Sequence, residues 1–350
     1  MVRHLKKIRS IFFYPKKDTE IILDKIKSFN GEEGFAIYNP ECLGIMNSTK
    51  DLFKNCVGIK ELLNKKQIEF ISNVIVKTGV KYVIFSSITF GWKALAEKIK
   101  EKNSKIQIKF LWHGSHAMFV ERDESYFLYS IIDLMDRNIV DSIGFFKESM
   151  AKFYKEKGYR SYYVTNNVKN IMVTDLKSFE KKENNVYLGS YAAGDRWGKN
   201  TANQLSAASM VENAVVDIIP VTNLIKEFCS TIKLKINDEN LKYLSRQELL
   251  NRMSLNDVNL YVTFTECSPV IPLESLELGV PCITGNNHSY FKNSVLEKYL
   301  VVKSEDDIDE IYGKIKLCLN ERDNIIKLYS KWKKEYDIFS QKLLEEFIYG

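Results

Sequence analysis

Short apolar runs and helically patterned stretches alternate along the whole 350-residue chain. Runs at 8–14, 34–38, 80–85, 106–112, 141–145 and 162–165 are rich in β-branched and aromatic residues and predict strands, with helical patterning over 60–78 and 91–102 between them. A second series of strands is predicted at 186–191, 214–221, 231–236, 259–264 and 280–284. Ser304 is placed to cap a closing helix, and 323–348 reads as a long amphipathic one. Strand alternating with helix predicts an α/β fold of mostly parallel sheets, covered by helices on both faces. A chain of this length exceeds one core. The polar stretch KSFEKKENN, inside 169–185, gives the natural boundary: a domain over 1–170, a linker over 171–185, a second domain over 186–322 and a terminal helix over 323–350.

The most informative segment is LYVTFTECSPVIPLESLELGVPCITG, residues 260–285. A strand over 260–264 enters a turn, Pro272 suits the start of a helix that stops at Gly279, and 280–284 form the next strand. Ligands of parallel sheets sit at the strands' carboxyl ends, so Glu266, the 267–271 backbone and Glu274 would line that edge. Amides at a helix start favour a diphosphate, whereas carboxylates require hydroxyl donors. A sugar and a ribose flanking two phosphates need that mixture. The Glu-x7-Glu spacing alone decides nothing, because it also joins Glu33 to Glu41, Glu61 to Glu69, Glu148 to Glu156 and Glu297 to Glu305. Only at Glu266 and Glu274 does a strand precede the pair and Gly-Val-Pro with a second strand follow it.

In this segment the chain resembles the retaining GT-B glycosyltransferases of the Glu-x7-Glu group, the glycosyltransferase family 4-like enzymes. The resemblance implies two Rossmann-like domains, with terminal helices crossing back onto the first. It implies that Glu266 lies at the donor sugar, that Ser268, Pro269 and Val270 present amides to the sugar and distal phosphate, and that Glu274 binds the ribose hydroxyls. Cys267-Ser268-Pro269 stands where the family often has Gly-Phe-Gly.

A second match covers 186–212, VYLGSYAAGDRWGKNTANQLSAASMVE, where a strand enters a loop and a helix starts near Thr201. The family places an arginine and a lysine here to neutralise the donor diphosphate, and Arg196 and Lys199-Asn200 correspond in type, with Gly189 at the strand end. A site with two carboxylates needs cations to hold a dianion. The competing reading is two solvated basic residues on a surface loop. A Walker A motif fails because Ala193 replaces its first glycine and Asn200 its Ser/Thr, and no GxGxxG follows a strand. The third segment, 106–119, runs an apolar strand into Trp112-His113-Gly114-Ser115-His116. Family members often carry such a His-Gly step with the histidine facing the donor sugar, which makes His113 the first candidate and His116 the second. A structural turn histidine is the alternative, and zinc would need further Cys or His ligands at metal spacing.

Composition narrows the setting. The longest apolar runs fall far below a membrane span. Arg3, Lys6, Lys7 and Arg9 precede Pro15-Lys16-Lys17, which interrupts any signal-peptide core and leaves the protein expected in the cytoplasm. That basic cluster could also attract an anionic membrane surface, placing the protein peripherally at the inner face. Six scattered cysteines without CxxC suit reduced thiols. The formal charge of +6, from 51 basic and 45 acidic residues, does not call for nucleic acid, and no nucleic-acid motif appears.

The expectation from the resemblance is therefore a metal-independent, cofactor-free hexosyltransferase. It would move a sugar from a nucleotide diphosphate donor, UDP by family usage, to a glycan, lipid-linked or protein acceptor with retention. The diphosphate would be stabilised by Lys199 and Arg196. A catalytically silent GT-B-like accessory protein that binds a glycosylated partner is the second reading, and a sugar-nucleotide epimerase the third.

Overall fold

The computed structural model describes residues 16–120, 122–168, 171, 180–191, 196–238, 240–241 and 244–350. The chain divides into two compact units, one of residues 1–166 and 340–350, the other of residues 167–339. Each contains a six-stranded sheet in which every pairing is parallel.

The first unit's strands are β1 (Gly34–Tyr38), β2 (Cys56–Gly58), β3 (Tyr82–Ser86), β4 (Gln107–Trp112), β5 (Ser142–Phe145) and β6 (Ser161–Tyr163), in the order β2-β1-β3-β4-β5-β6. Every residue of β1 is buried, as a strand covered on both faces requires. The helix Lys65–Thr78 starts on a capping box between Asn64 and Gln67 and ends at Gly79, whose φ of +72° is the left-handed stop that glycine adopts without strain. The last turns of the helix Arg322–Tyr349 belong to this unit. There Phe347 is buried, and the Lys109 ammonium donates to its carbonyl oxygen at 3.1 Å.

The second unit's strands are β7 (Val186–Ser190), β8 (Ala214–Ile218), β9 (Lys235–Ile236), β10 (Val258–Tyr261), β11 (Cys282–Gly285) and β12 (Val301–Val302), ordered β12-β11-β10-β7-β8-β9. Strands after β7 are added first on one side and then, from β10, on the other. The strand order therefore reverses between β7 and β10, and the crevice beyond their carboxyl ends is where such a sheet receives ligands.

Several sequence expectations change. The predicted strand over 8–14 lies outside the described residues, as do Arg3, Lys6, Lys7 and Arg9. β2 and β12, three and two residues long, were not predicted. β10 stops at Tyr261 instead of Phe264, because the Val262 amide donates to Gln204 Oε1 and the Phe264 amide to Gly198 O, both away from the sheet. β8 ends before Ile219-Pro220, since proline brings no N–H to the ladder. The run 231–236 is mostly helix end and turn, leaving only Lys235–Ile236 paired. Ser304 does not cap the closing helix; the Asp307 carboxylate accepts from the Glu310 amide and caps Ile308–Asn320.

Candidate functional site

The β7–β10 switch point gathers the two loops that carry the candidate residues. After β7, Trp197–Lys199 form one 3-10 turn, and Asn200 turns the chain into the helix Thr201–Ser209 with φ +53°, a conformation asparagine tolerates better than most residues. After β10, the chain runs through Glu266 to the helix Ile271–Glu277, which has proline in its first turn. The loops are tied together by main-chain and side-chain bonds. The Phe264 amide donates to Gly198 O at 2.9 Å, Asn200 Nδ2 donates to Val262 O at 3.0 Å and to Glu305 O, and Gln204 Nε2 donates to Lys199 O at 2.8 Å.

Within this frame the Lys199 ammonium is paired with Glu266 Oε1, and the Tyr261 hydroxyl donates to the same oxygen at 2.8 Å. Lys199 Nζ is also 3.5 Å from the Tyr261 hydroxyl. The Lys199 and Glu266 side chains are only 17% and 13% exposed, so a charge pair sits in a partly desolvated recess. Burial and the neighbouring carboxylate push the Tyr261 phenol well above its usual range, which keeps it a neutral donor. The structure thus brings Lys199 and Glu266 together across 67 residues of sequence.

Glu274, on the helix Ile271–Glu277, has a buried carboxylate whose Oε1 accepts from Arg246 Nε at 2.7 Å. Sequence reasoning missed Arg246. It is the first residue of a helix capped by a Ser245–Glu248 box, but nothing local joins it to a glutamate 28 residues away. Tyr261 and Gln204 were missed as well, one hidden as an ordinary strand residue and the other as an ordinary helix residue. Ser268 is buried with its hydroxyl 2.7 Å from that of Tyr290, Pro269 is buried beside it, and Val270 is half-buried at the helix start.

The other candidates stand apart from this cluster or support it. Arg196 is exposed and lines an apolar cavity of about 330 Å³ with Trp197, Leu224, Phe228 and Phe264. Asn200 spends its side-chain amide on loop carbonyls, which makes it a brace for the two loops. Gly189 lies in β7 against the buried side chains of Asn256, Asn259 and Tyr191, and a Cβ there would fall 2.0 Å from Asn259 Oδ1. Its lack of a side chain therefore serves packing. Beneath the loops a buried network surrounds Asp217, which accepts from Tyr191 at 2.6 Å, from Arg252 Nε at 2.9 Å and from Asn237 at 3.0 Å.

In the first unit His113 follows β4. Its Nε2 is 2.8 Å from Ser86 Oγ, its ring lies 4.5 Å from that of Phe146, and burial pushes its pKa down to about 3. The ring is neutral at physiological pH. His116 is more exposed, 3.2 Å from the Tyr154 hydroxyl and among the rings of Phe119 and Phe153. Among the described residues no group of three or more His, Cys, Asp or Glu is placed to hold a metal ion, and no helix is long and apolar enough to cross a membrane.

No protein-family model matches this sequence, and no curated protein matches it. Solved structures do match. The trehalose-6-phosphate synthase OtsA aligns over 89% of this chain and 99% of its own, at 10% identity and a TM-score of 0.58. The UDP-forming α,α-trehalose-phosphate synthase from Burkholderia vietnamiensis aligns over 91% of this chain and 98% of its own, at 9% identity and a TM-score of 0.57. The pneumococcal O-GlcNAc transferase GtfA, solved with UDP and GlcNAc, aligns over 80% of this chain and 60% of its own, at 15% identity and a TM-score of 0.54. At such identities the likeness is one of fold, and the fold is that of the retaining GT-B glycosyltransferases.

Proposed function

We propose that the chain is a retaining glycosyltransferase that uses a nucleotide diphosphate sugar, with UDP as the favoured nucleotide. One observation carries the reading: a lysine and a glutamate from separate loops meet at the strand-order reversal of a Rossmann-like sheet, in a fold that solved UDP-dependent transferases share. Lys199 is the cation for the diphosphate, aided by Arg196 and by the amides of Ser268, Pro269 and Val270. It stabilises the charge that develops as the sugar–phosphate bond breaks. Glu266 orients the donor sugar and Glu274, held by Arg246, takes the ribose hydroxyls. The acceptor hydroxyl attacks on the face the diphosphate leaves, with donor phosphate assisting removal of its proton, which yields retention.

Thermal melting with UDP and a panel of nucleotide sugars, with and without EDTA, tests this reading. A rise in melting temperature with UDP that survives EDTA is expected, together with slow donor hydrolysis. Absence of any nucleotide response would reject donor binding. Binding without turnover, for any donor in the panel and any glycan or lipid-linked acceptor, would favour an accessory protein.

A further inference from the structure

Exposed apolar side chains of the second unit gather around one cavity. Trp197, Leu224 and Phe264 are 56%, 61% and 37% exposed, and they line the space of about 330 Å³ that also reaches Leu205 and Ile225, both buried in the core. The cavity therefore opens from the core to the surface. Ligand pockets span about 300–1,000 Å³, so one at the small end admits a slender chain or a single ring. The Trp197 and Phe264 rings stack beside it, with centroids 6.1 Å apart. Its polar lining offers little to a sugar. Asn200 gives its side-chain amide to Val262 O and Glu305 O, and its Oδ1 accepts from Asn203 Nδ2 at 2.7 Å, so the two asparagines spend these groups within the loops. A pyranose here would bury hydroxyls with few partners, whereas a hydrocarbon has no such loss. Among the described residues that line the cavity, Arg196 is the one charged group, and it is exposed.

We propose that this cavity holds the hydrocarbon chain of an anionic amphiphile, namely an acceptor whose receiving group is joined to a lipid through a phosphate. Charge complementarity favours the anion, because a guanidinium and no carboxylate lines the cavity among the described residues. The location favours an acceptor. Trp197 precedes Lys199 by two residues, Phe264 precedes Glu266 by two, and the bond from the Phe264 amide to Gly198 O at 2.9 Å holds the two segments side by side. A chain seated against these rings leaves its polar end beside the Lys199–Glu266 pair. Arg196 would there face two anions, the phosphate of the acceptor and the diphosphate of the donor. That the amphiphile is an acceptor rests on the transferase reading above. That the cavity takes an anionic amphiphile does not.

Titration calorimetry of the full chain with n-alkyl phosphates of six to twelve carbons, kept below micelle formation, tests the proposal. Affinity should rise about fourfold per added methylene and level off once the cavity is filled. Tryptophan emission should shift to shorter wavelength as the exposed Trp197 is covered, a change lost in Trp197→Phe, and glucose or inorganic phosphate alone should not produce it. Leu224→Asp should weaken the longer alkyl phosphates about tenfold, and Leu224→Met should restore them. Leu224 is exposed in the first turn of the helix Asn223–Thr231, where an acidic residue is favoured, so this variant keeps its fold. An alkyl trimethylammonium of equal chain length should bind more weakly. Affinity independent of chain length, no effect of Leu224→Asp, or equal binding of the cationic amphiphile would overturn the proposal. So would binding to vesicles of anionic phospholipid without binding of monomeric alkyl phosphates, which would mark a membrane-facing surface instead. A response to UDP without alkyl phosphate binding would reject the amphiphile and leave the transferase reading intact. Alkyl phosphate binding without a UDP response would keep the amphiphile site and reject its role as acceptor.

Discussion

Replacing Glu266 by glutamine should tighten UDP binding while removing sugar transfer, an outcome that follows from whom Lys199 touches when no donor is bound. Its ammonium is committed to Glu266 Oε1, the oxygen that also accepts from Tyr261 at 2.8 Å. A diphosphate can recruit Lys199 only by drawing it from that carboxylate or by sharing it. At an effective dielectric of about 20 the bare attraction of two charges 4 Å apart is about 4 kcal/mol, but desolvation of both partners offsets much of it. Measured net values are the better guide: about 1.5–3 kcal/mol for a hydrogen bond to a charged group and about 0.5–1.5 kcal/mol for a neutral one. Changing the partner to an amide therefore lowers the cost of releasing Lys199 by about 1 kcal/mol, which is about fivefold in UDP affinity. Lys199→Met should do the reverse. It removes the cation from the phosphates, with a loss of about 10- to 100-fold.

Isothermal titration of UDP at fixed ionic strength gives both numbers, and the double variant gives the coupling between the two residues. If Glu266→Gln lost as much UDP affinity as Lys199→Met, the carboxylate would be binding the nucleotide rather than competing for the lysine, and the assignment of roles would fail.

Three other outcomes are expected. Glu274→Gln should weaken UDP and UDP-sugar alike by about 10- to 100-fold through loss of a charged bond to ribose, while Arg246→Ala should mainly lower the melting temperature, a contrast that titration and melting together reveal. Arg252→Met should cost about 3–5 kcal/mol in urea unfolding because it leaves the fully buried Asp217 carboxylate without its cation. Adding Asp217→Leu should recover much of that loss, and a single-variant cost below about 1 kcal/mol would refute the argument. For His113, whose folded pKa is about 3 against about 6.5 unfolded, the unfolded chain takes up a proton that the native ring refuses, so stability falls as pH drops from about 6.5 toward 3. Urea midpoints of His113→Gln should show a shallower decline over that window.

Much of the fold was legible because burial on both faces leaves a continuous apolar signature. Gly34–Tyr38 was read with the bounds it has, and Thr201 as the start of its helix was read from the loop before it. What escaped was set by tertiary partners. β2 and β12 are too short for periodicity to register, and each forms only because a longer neighbour offers a ladder. The end of β10 depends on Gln204 and Gly198, residues of another loop. In the candidate site the glutamates and Lys199 were visible because turn context marks them, whereas Arg246 and Tyr261 gain meaning only from neighbours distant in sequence. The burial that neutralises His113 likewise has no local sequence signal.

The pairing of Lys199 with Glu266 depends finally on how closely β7 and β10 approach, and Gly189 tests that dependence without touching any ligand. Gly189 pairs with Asn259 across the two strands, and the site its Cβ would occupy is already filled by Asn259, Asn256 and the Tyr191 ring at 2.0, 2.4 and 2.5 Å. Those side chains cannot simply rotate away. Asn256 donates to the Tyr191 hydroxyl at 2.6 Å and to Asn259 Oδ1 at 2.8 Å, Asn259 donates to Ser275 at 2.8 Å, and Tyr191 donates to Asp217. Gly189→Ala must therefore break part of this buried network or spread the strands, at about 1–3 kcal/mol. If the strands spread, the loops that follow them separate and Lys199 loses its fixed position. UDP affinity should then fall together with the melting temperature, although Gly189 lies beneath the loops. A destabilised Gly189→Ala protein with unchanged UDP affinity would show instead that the loop-to-loop bonds at Phe264 and Asn200 hold the site independently of the strands below.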